Sequence, residues 1–221
     1  MTFDFIWFMH LFPIVLSALG LTIEMSVLSL VFTLLLSVLV AIIRYYKVRG
    51  LFQLCGIYIT VFRATPLVAQ LFILYFGFPA LIPAMKAMSA VQTTILALTL
   101  NTAAFMAETL RASIESVEKG QFEACCAMGM TKRQTMLRVI LPQAFVVALP
   151  MLGNQFIGIV KGTALGFTIG LPDIMAKAKI EASLDLRFFE AYLCVTLIYL
   201  VLVICIEKIQ GKIEKRLQKF G

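Results

Sequence analysis

The feature that most constrains this chain is an apolar run from Leu11 to Ile43 in which Glu24 is the one charged residue. About 20 apolar residues are enough for a helix to cross the hydrocarbon core of a bilayer. Hydrophobic residues make up 61% of the chain and charged residues 14%, against roughly 45–50% and 25% in soluble domains. The sequence therefore predicts an all-α integral membrane protein, and it argues against a soluble enzyme or a disordered chain.

Apolar runs separated by polar segments predict about five transmembrane helices. The expected spans cover residues 11–43, 51–85, 89–115, about 140–167 and about 189–206. Basic residues collect after the first, third and fifth spans, at Arg44, Lys47, Arg49, Lys119, Lys132, Arg133, Arg138, Lys208, Lys212, Lys215, Arg216 and Lys219. Because such residues favour the cytoplasmic side, we expect the N-terminus outside and the C-terminus in the cytoplasm. We also expect residues 172–188 to form an outer loop.

The net charge of +7 is explained by these cytoplasmic loops, so it gives no reason to expect a nucleic-acid partner. The five cysteines form no C-x-x-C pair, and the chain has one histidine. We therefore expect free thiols and no metal site. The chain is interpreted as a single membrane domain, residues 1–221, in a multi-pass protein of the cell (inner or plasma) membrane.

The polar segment at about 118–142 predicts two short helices joined by a tight turn. Gly120 is expected to end the third span, and Gly129 to end a helix over residues 121–128, because glycine accepts the left-handed conformation. Thr131 and Gln134 match a capping box that starts the next helix, which continues to Pro142. Such a compact helical segment suits docking into a groove of another protein; the alternative is an interfacial helix on lipid headgroups.

Several motifs in this sequence resemble those of ATP-binding cassette (ABC) importer permeases, in the branch that transports polar amino acids. The segment Glu123–Gly129, followed by Ile140–Pro142, resembles the EAA loop of these permeases. Further similar segments are Phe62–Leu67, Ala107–Arg111 with Gly120 and Gln121, Leu141–Ala144, Asn154–Ile157, and Lys161 with Thr163. The resemblance covers roughly residues 14–208. The chain departs from the family pattern at Ala64, Cys125 and Ala164.

The resemblance implies a permease subunit that moves a polar amino acid inward by alternating access, with a neutral or zwitterionic substrate such as glutamine or cystine. It implies as partners an ABC ATPase dimer, a second permease chain in a homodimer or heterodimer, an extracytoplasmic solute-binding protein and the lipid bilayer. The chain has no G-x-x-x-x-G-K-[ST] segment. We therefore expect that it is no enzyme, that it binds no cofactor, and that the partner ATPase uses ATP and Mg²⁺.

The resemblance assigns the coupling roles, whereas the substrate-contact and gating hypotheses come from polar residues within the spans. The residues expected to couple to the ATPase are Gly120, Gln121, Phe122, Glu123, Ala124, Ala127 and Gly129. Hypothetical substrate contacts are Lys161, Thr163, Asn154, Gln155 and Asn101. Gating or structural roles are expected for Arg63, Pro66, Glu108, Arg111 and Pro142.

The substrate-contact and gating hypotheses rest on the chemistry of these residues. Polar residues within spans are costly and by default mark function. Lys161 lies among several glycines that would let the helix unwind, and its ammonium suits a substrate carboxylate; the alternative is an intramembrane ion pair. Glu108 and Arg111 are three residues apart, so they can pair on one helix face. Arg63 could gate the pathway, or it could snorkel or pair with a carbonyl that Pro66 frees.

Three other functions remain open at this stage. The chain could belong to an ABC importer for another small solute, or it could be a membrane scaffold that transports nothing. An intramembrane enzyme would need a nucleophile–base set, but His10 is the one histidine and no G-x-S-x-G occurs.

Overall fold

The computed structural model describes residues 3–217, and this part of the chain contains helices and no strand. The helices are α1 (Phe5–Leu16), α2 (Leu19–Tyr45), α3 (Leu51–Ala64), α4 (Leu67–Phe72), α5 (Phe78–Leu81), α6 (Ala90–Glu115), α7 (Lys119–Ala127), α8 (Lys132–Thr135), α9 (Leu141–Gly162), α10 (Ile174–Asp185) and α11 (Phe188–Leu217). Single π-helical turns at Ile73–Gly77 and Met136–Ile140 join α4 to α5 and α8 to α9. Short 3₁₀ helices occupy Pro83–Ala87 and Thr163–Ile169.

Four helical segments are long and apolar enough to cross a membrane: α2, α6, the run Lys132–Ile169, and α11. A fifth span results if α3 and Leu67–Leu81, which meet at an angle of 110°, are counted together. The bend follows from Pro66, which lacks an N–H and disfavours helix at the residue before it. Thr65 is accordingly extended, with φ −114° and ψ 145°. The prediction of an all-helical protein with about five spans agrees with this architecture.

The core between the spans is built where α2 packs along α6. We call the five small hydroxyl residues that α2 buries along one face the hydroxyl seam: Thr22, Ser26, Ser29, Thr33 and Ser37, each at most 2% exposed. From α6, Ala103 and Ala104 are fully buried. Small residues let two membrane helices approach closely. The hydroxyl seam therefore explains why α2 and α6 form the most extensive helix pair of the described residues.

Two predictions about the outer parts of the chain are wrong. The run Leu11–Ile43 is not one helix, since the chain breaks at Ser17 and Ala18 between α1 and α2. Residues 172–188 form no open loop, because α10 occupies most of them. Both differences have one cause: α1 and α10 pack on each other and on α11 through a shared apolar cluster.

The helix that contains the fifth span continues beyond the predicted end of the span, because α11 runs without a break from Phe188 to Leu217. The basic residues of the tail that the structure describes therefore lie on this helix: Lys208, Lys212, Lys215 and Arg216. Lys219 lies outside the described residues. Along this extension, Ile209 and Ile213 are 60% and 46% exposed, so one side of the helix stays apolar beyond the predicted end of the span.

Candidate transport face and coupling segment

One face of α9 carries polar side chains that the rest of the described chain does not cover. Asn154, Gly158 and Lys161 are exposed, and their spacing of four and three residues places them one above another. We call these three residues the polar stripe. Towards the start of α9 it continues through Val147 and Met151, each 50% exposed. Within residues 3–217 no carboxylate pairs with Lys161, so the alternative of an intramembrane ion pair finds no span-three partner and would require a carboxylate of a partner chain.

The backbone beside Lys161 differs from the expectation of an unwound helix. Helix α9 runs without interruption through Lys161 to Gly162 and then tightens into the 3₁₀ helix. Thr163 is fully buried, and its hydroxyl donates to Val160 O at 2.7 Å. The predicted contact residue Thr163 therefore lies behind the polar stripe rather than on it, while Gln155 is half-buried at its side.

Gly162 marks a point where three helices touch. A Cβ atom at this position would lie 2.7 Å from Leu98 Cδ2 of α6 and 3.5 Å from Leu67 Cδ2 of α4. The first distance is shorter than ordinary van der Waals contact, so a Cβ atom at this position would require the end of the Leu98 side chain to shift. The contact also brings the bend between α3 and α4 next to Lys161.

The bend is tied to α6 by two side-chain amides. Gln70 Nε2 lies 3.0 Å from Phe62 O, 3.1 Å from Thr65 O and 2.8 Å from Thr65 Oγ1. Asn101 Nδ2 donates to Phe62 O at 3.1 Å and to Gln70 Oε1 at 3.0 Å. Because acceptors surround both amide nitrogens, the orientation of both side chains is determined. Asn101 Oδ1 receives no hydrogen bond from the described residues.

Arg63, at the end of α3, is exposed beside this bend. Its guanidinium carbon lies 5.4 Å from the centre of the Phe105 ring, which is a cation–π distance. The carbonyl with which it was expected to pair, that of Phe62, is occupied by Gln70 and Asn101. Arg63 is therefore a second cation on the surface beside the bend that is not paired with any described carboxylate.

The predicted pair of Glu108 and Arg111 is confirmed. Arg111 Nη2 lies 2.7 Å from Glu108 Oε2, and Arg111 Nη1 lies 2.6 Å from Glu115 Oε2. Arg44 of α2 approaches Glu108 Oε1 at 3.8 Å. The cluster joins the end of α2 to the end of α6, which is the structural role that the sequence allowed for this pair.

The segment between α6 and α9 has the predicted helix–turn–helix geometry. The seven residues expected to contact an ATPase are all exposed: Gly120, Gln121, Phe122, Glu123, Ala124, Ala127 and Gly129. Gly129 adopts φ +74°. Both bonds of the capping box are present, from Thr131 N to Gln134 Oε1 at 2.8 Å and from Gln134 N to Thr131 Oγ1 at 3.3 Å. Pro142 lies just after the π-helical turn Met136–Ile140, and because proline has no backbone N–H, it interrupts the regular α-helical hydrogen bonding there.

One detail of this segment was predicted wrongly. Gly120 does not end the third span, because α6 already ends at Glu115 and Gly120 lies in the first turn of α7. Beside α7 there is a cavity of about 600 Å³, lined in part by Glu115, Glu118 and Glu123. Lys119 also lines this cavity, so Glu123 lies in a pocket of mixed charge with three carboxylates and one ammonium.

The sequence comparison decides the family. Residues 33–219 match the family model described as "Binding-protein-dependent transport system inner membrane component". The chain belongs to this family of transport-system membrane components. The resemblance to ABC permeases is thereby confirmed, and so is the location in a membrane.

Relatives of this permease align over almost their whole length. A protein of Vibrio harveyi named "Probable amino-acid ABC transporter permease protein PatM" is 49% identical, over 99% of this chain and 98% of the relative. "Probable amino-acid permease protein YxeN" of Bacillus subtilis (strain 168) is 40% identical, over 99% and 97%. "L-cystine transport system permease protein TcyB" of the same organism is 36% identical, over 94% and 88%.

A solved structure supports the fold of this permease. The "Crystal structure of an amino acid ABC transporter with histidines" superposes with a TM-score of 0.89 at 33% identity, and it covers 98% of this chain and 100% of the other. An inward-facing structure of the MetNI methionine ABC transporter has a TM-score of 0.76 at 19% identity, with 98% and 99% covered. At that identity, the second match supports the fold alone.

Two polar residues of the permease were not among the predicted site residues. Gln70 is 8% exposed and completes the tie at the bend; a glutamine four residues after Pro66 in an apolar helix was the available signal. Asp173 is fully buried, and its Oδ1 accepts from Ala176 N at 2.9 Å at the start of α10. Its Oδ2 has no hydrogen-bond partner in the described chain. Burial raises the pKa of the Asp173 carboxyl to about 6.

Proposed function

We propose that this chain is the permease subunit of an ABC importer for a polar amino acid and that it works by alternating access. The observation that carries the proposal is the polar stripe of α9, where Lys161 is an exposed, unpaired cation in a membrane-spanning helix. Family membership supports the transport function. Relatives named for cystine and glutamine, 36% and 41% identical, support a neutral or zwitterionic amino acid as the substrate.

In this proposal, the polar stripe binds the backbone groups of the amino acid. The ammonium of Lys161 pairs with the α-carboxylate, a charge-assisted contact that is stronger than a neutral hydrogen bond. Asn154 and Gln155 supply further polar groups, and Asn101 Oδ1 accepts from the α-ammonium. Thr163 holds the end of α9 in place through its bond to Val160 rather than contacting the substrate. Arg63 gates the pathway beside the bend.

A second permease chain covers the polar stripe. A lysine that faced lipid within a span would be costly, and such residues face a bundle interior or a water-filled cavity instead. We therefore place the pathway between two permease chains, in a homodimer or a heterodimer. An extracytoplasmic binding protein delivers the amino acid, in keeping with the description of the family.

The segment at about 118–142 couples this pathway to an ATPase dimer in the cytoplasm, where the C-terminus also lies. The seven exposed residues of α7 and its turn form the docking surface. From Lys132 the chain is helical without a gap through α9 to Lys161, so a displacement of α7 reaches the polar stripe through a continuous helix. ATP and Mg²⁺ are bound by the ATPase.

The proposal is tested with Lys161→Met in the complete importer, reconstituted in proteoliposomes with its ATPase and binding protein. We expect uptake of radiolabelled L-glutamine or L-cystine to fall about 100-fold, as when a charged contact to the substrate is removed. The mass of the complex and the copurification of the ATPase should stay unchanged. The matched control is Lys208→Met, which removes an exposed lysine of α11.

Three outcomes would contradict the proposal. Full uptake by the Lys161→Met variant would show that Lys161 does not contact the substrate. Loss of assembly in that variant would show that Lys161 is a structural residue. A wild-type chain that copurifies with no ATPase would exclude the importer itself.

A further inference from the structure

A groove on the other side of α9 has no role in the proposed transport. It lies between α2, α9 and α11, has a volume of about 340 Å³, and is lined by residues that include Leu34, Leu149, Phe156 and Ile209. Apart from Gly153 and Gln210, every residue of its lining is aliphatic or aromatic. We call it the α2–α9–α11 groove.

The groove faces away from the proposed pathway. Successive residues of an α-helix are 100° apart. Phe156 is two residues from both Asn154 and Gly158, so it lies about 200° around α9 from the polar stripe. Because a second permease covers the polar stripe in the proposed function, the opposite face of α9 is turned towards the bilayer.

The length and position of the groove fit one leaflet. The part of α9 that lines it, from Phe145 to Phe156, rises about 16 Å, close to half of the roughly 30 Å hydrocarbon core. Residues from Ile206 to Ile213 of α11 form the opposite wall. Most of this part of α9 lies in the first half of the expected fourth span, about 140–167, and Ile206–Ile213 lie in the second half of α11, so in the proposed orientation the groove lies on the cytoplasmic side of the membrane.

The cytoplasmic end of the groove is positively charged. Arg138 is exposed about two turns before Phe145, and Arg216 is exposed one turn after Ile213. No carboxylate of the described residues pairs with either arginine. The nearby carboxylate of Glu214 already accepts from Gln210 Nε2 at 2.7 Å.

We propose that the α2–α9–α11 groove binds an acyl chain of an anionic phospholipid, whose phosphate lies between Arg138 and Arg216. The apolar lining supplies the energy of binding, about 0.8 kcal/mol per buried CH₂ group, and the two arginines select an anionic headgroup. A lipid bound there contacts the first and last transmembrane helices and also α9, which leads directly from the coupling segment. The site is independent of the amino acid that the permease carries.

The experiment uses the permease, with the subunits that copurify with it, in mixed micelles of phosphatidylglycerol and phosphatidylethanolamine with identical acyl chains. Native mass spectrometry counts the lipids that each complex retains. We expect the wild type to retain phosphatidylglycerol preferentially. Arg216→Gln should reduce this preference about fivefold, the effect of one basic residue at the membrane surface. The control Lys208→Gln, on the far side of α11 from the groove, should leave the preference unchanged.

A second variant tests the groove itself. Leu149→Trp places an indole in the groove and should remove one retained lipid, whereas Leu200→Trp, exposed on α11 outside the groove, should remove none. Equal lipid counts in these two variants, or an unchanged preference in Arg216→Gln, would overturn the proposal. A change in the number of permease chains per complex with Leu149→Trp would assign the groove to a protein neighbour instead. Because these experiments measure lipid retention and not uptake, a negative result would contradict the lipid site without contradicting the proposed transport function.

Discussion

The hydroxyl seam of α2 and the polar stripe of α9 are both polar patches on membrane-spanning helices, yet their surroundings are opposite. The seam is buried, and three of its five hydroxyls donate to carbonyls of their own helix, as Ser26 does to Thr22 O at 2.7 Å. The stripe is exposed, and its lysine has no carboxylate partner among the described residues. The two patches therefore differ in burial: the seam is enclosed, although the hydroxyls of Ser29 and Thr33 have no hydrogen-bond partner, whereas the ammonium of Lys161 is open to groups from outside the described chain.

The largest expected effect comes from breaking the seam. Ser29 is fully buried, so Ser29→Leu forces a larger side chain between two tightly packed helices. Such overpacking costs about 3 kcal/mol at the upper end of its usual range, and we expect little folded protein. Size-exclusion chromatography and thermal unfolding of the purified permease measure the loss.

The matched control is Ser29→Ala. The hydroxyl of Ser29 has no hydrogen-bond partner, so its removal leaves no group unpaired, and we expect a change within about 0.5 kcal/mol. Equal damage by alanine would mean that the hydroxyl, rather than the small size, holds the seam together.

Asp173 combines one feature of each patch. It carries an ionisable group, as Lys161 does in the polar stripe, and it is buried, as the hydroxyl seam is. Burial raises the pKa of its carboxyl from 3.8 to about 6. Between these pH values the folded state keeps a proton that the unfolded state releases, so the folded state loses stability as the pH rises from about 4 to about 6. The shift of about two pKa units lowers the free energy of unfolding by at most about 3 kcal/mol.

Asp173→Asn should remove this dependence, since asparagine stays neutral and still caps a helix. We expect the melting temperature of the variant to exceed that of the wild type at pH 7 and to match it near pH 4. If the melting temperature of the wild type changed between pH 4 and pH 6 by the same amount as that of Asp173→Asn, this account would be wrong.

The smallest expected effect concerns Gln70 and Asn101, which are partly accessible but hydrogen-bonded to each other. Each single variant, Gln70→Leu and Asn101→Leu, should destabilise the protein by about 1–2 kcal/mol, because buried groups lose partners. In a double-mutant cycle the two should show a coupling of about 1 kcal/mol. If the effects of the two variants were strictly additive, Asn101 would have no role in holding the bend, and its amide would be available only for a substrate contact.

The features predicted correctly are those that neighbouring residues determine. The existence of spans α6 and α11 follows from segments rich in apolar residues, although the predicted end of the fifth span does not match the end of α11. The turn at Gly129 and the capping box at Thr131 follow from side chains and backbone within four residues of one another. The pair of Glu108 and Arg111 follows from helix periodicity alone.

The features predicted wrongly depend on residues that are distant in the sequence. The break between α1 and α2 lies within an apolar run and becomes visible only when α1 packs against α10. The charges of α10 favoured a loop, although Ala178 and Ala182, four residues apart and fully buried, follow the helical pattern. Gln70 could not be recognised as a partner of Asn101, because nothing in either segment shows that the bend brings them together.

The close contact at Gly162 limits how α9 can move. Because the end of the Leu98 side chain of α6 occupies the space beside Gly162, the two helices can slide along each other only if this side chain shifts. Pulling them apart would instead expose packed surface that lipid or water would have to fill. In the proposed alternating access, a shear between α9 and α6 that is accompanied by a shift of Leu98 therefore exposes less packed surface than a separation of the two helices.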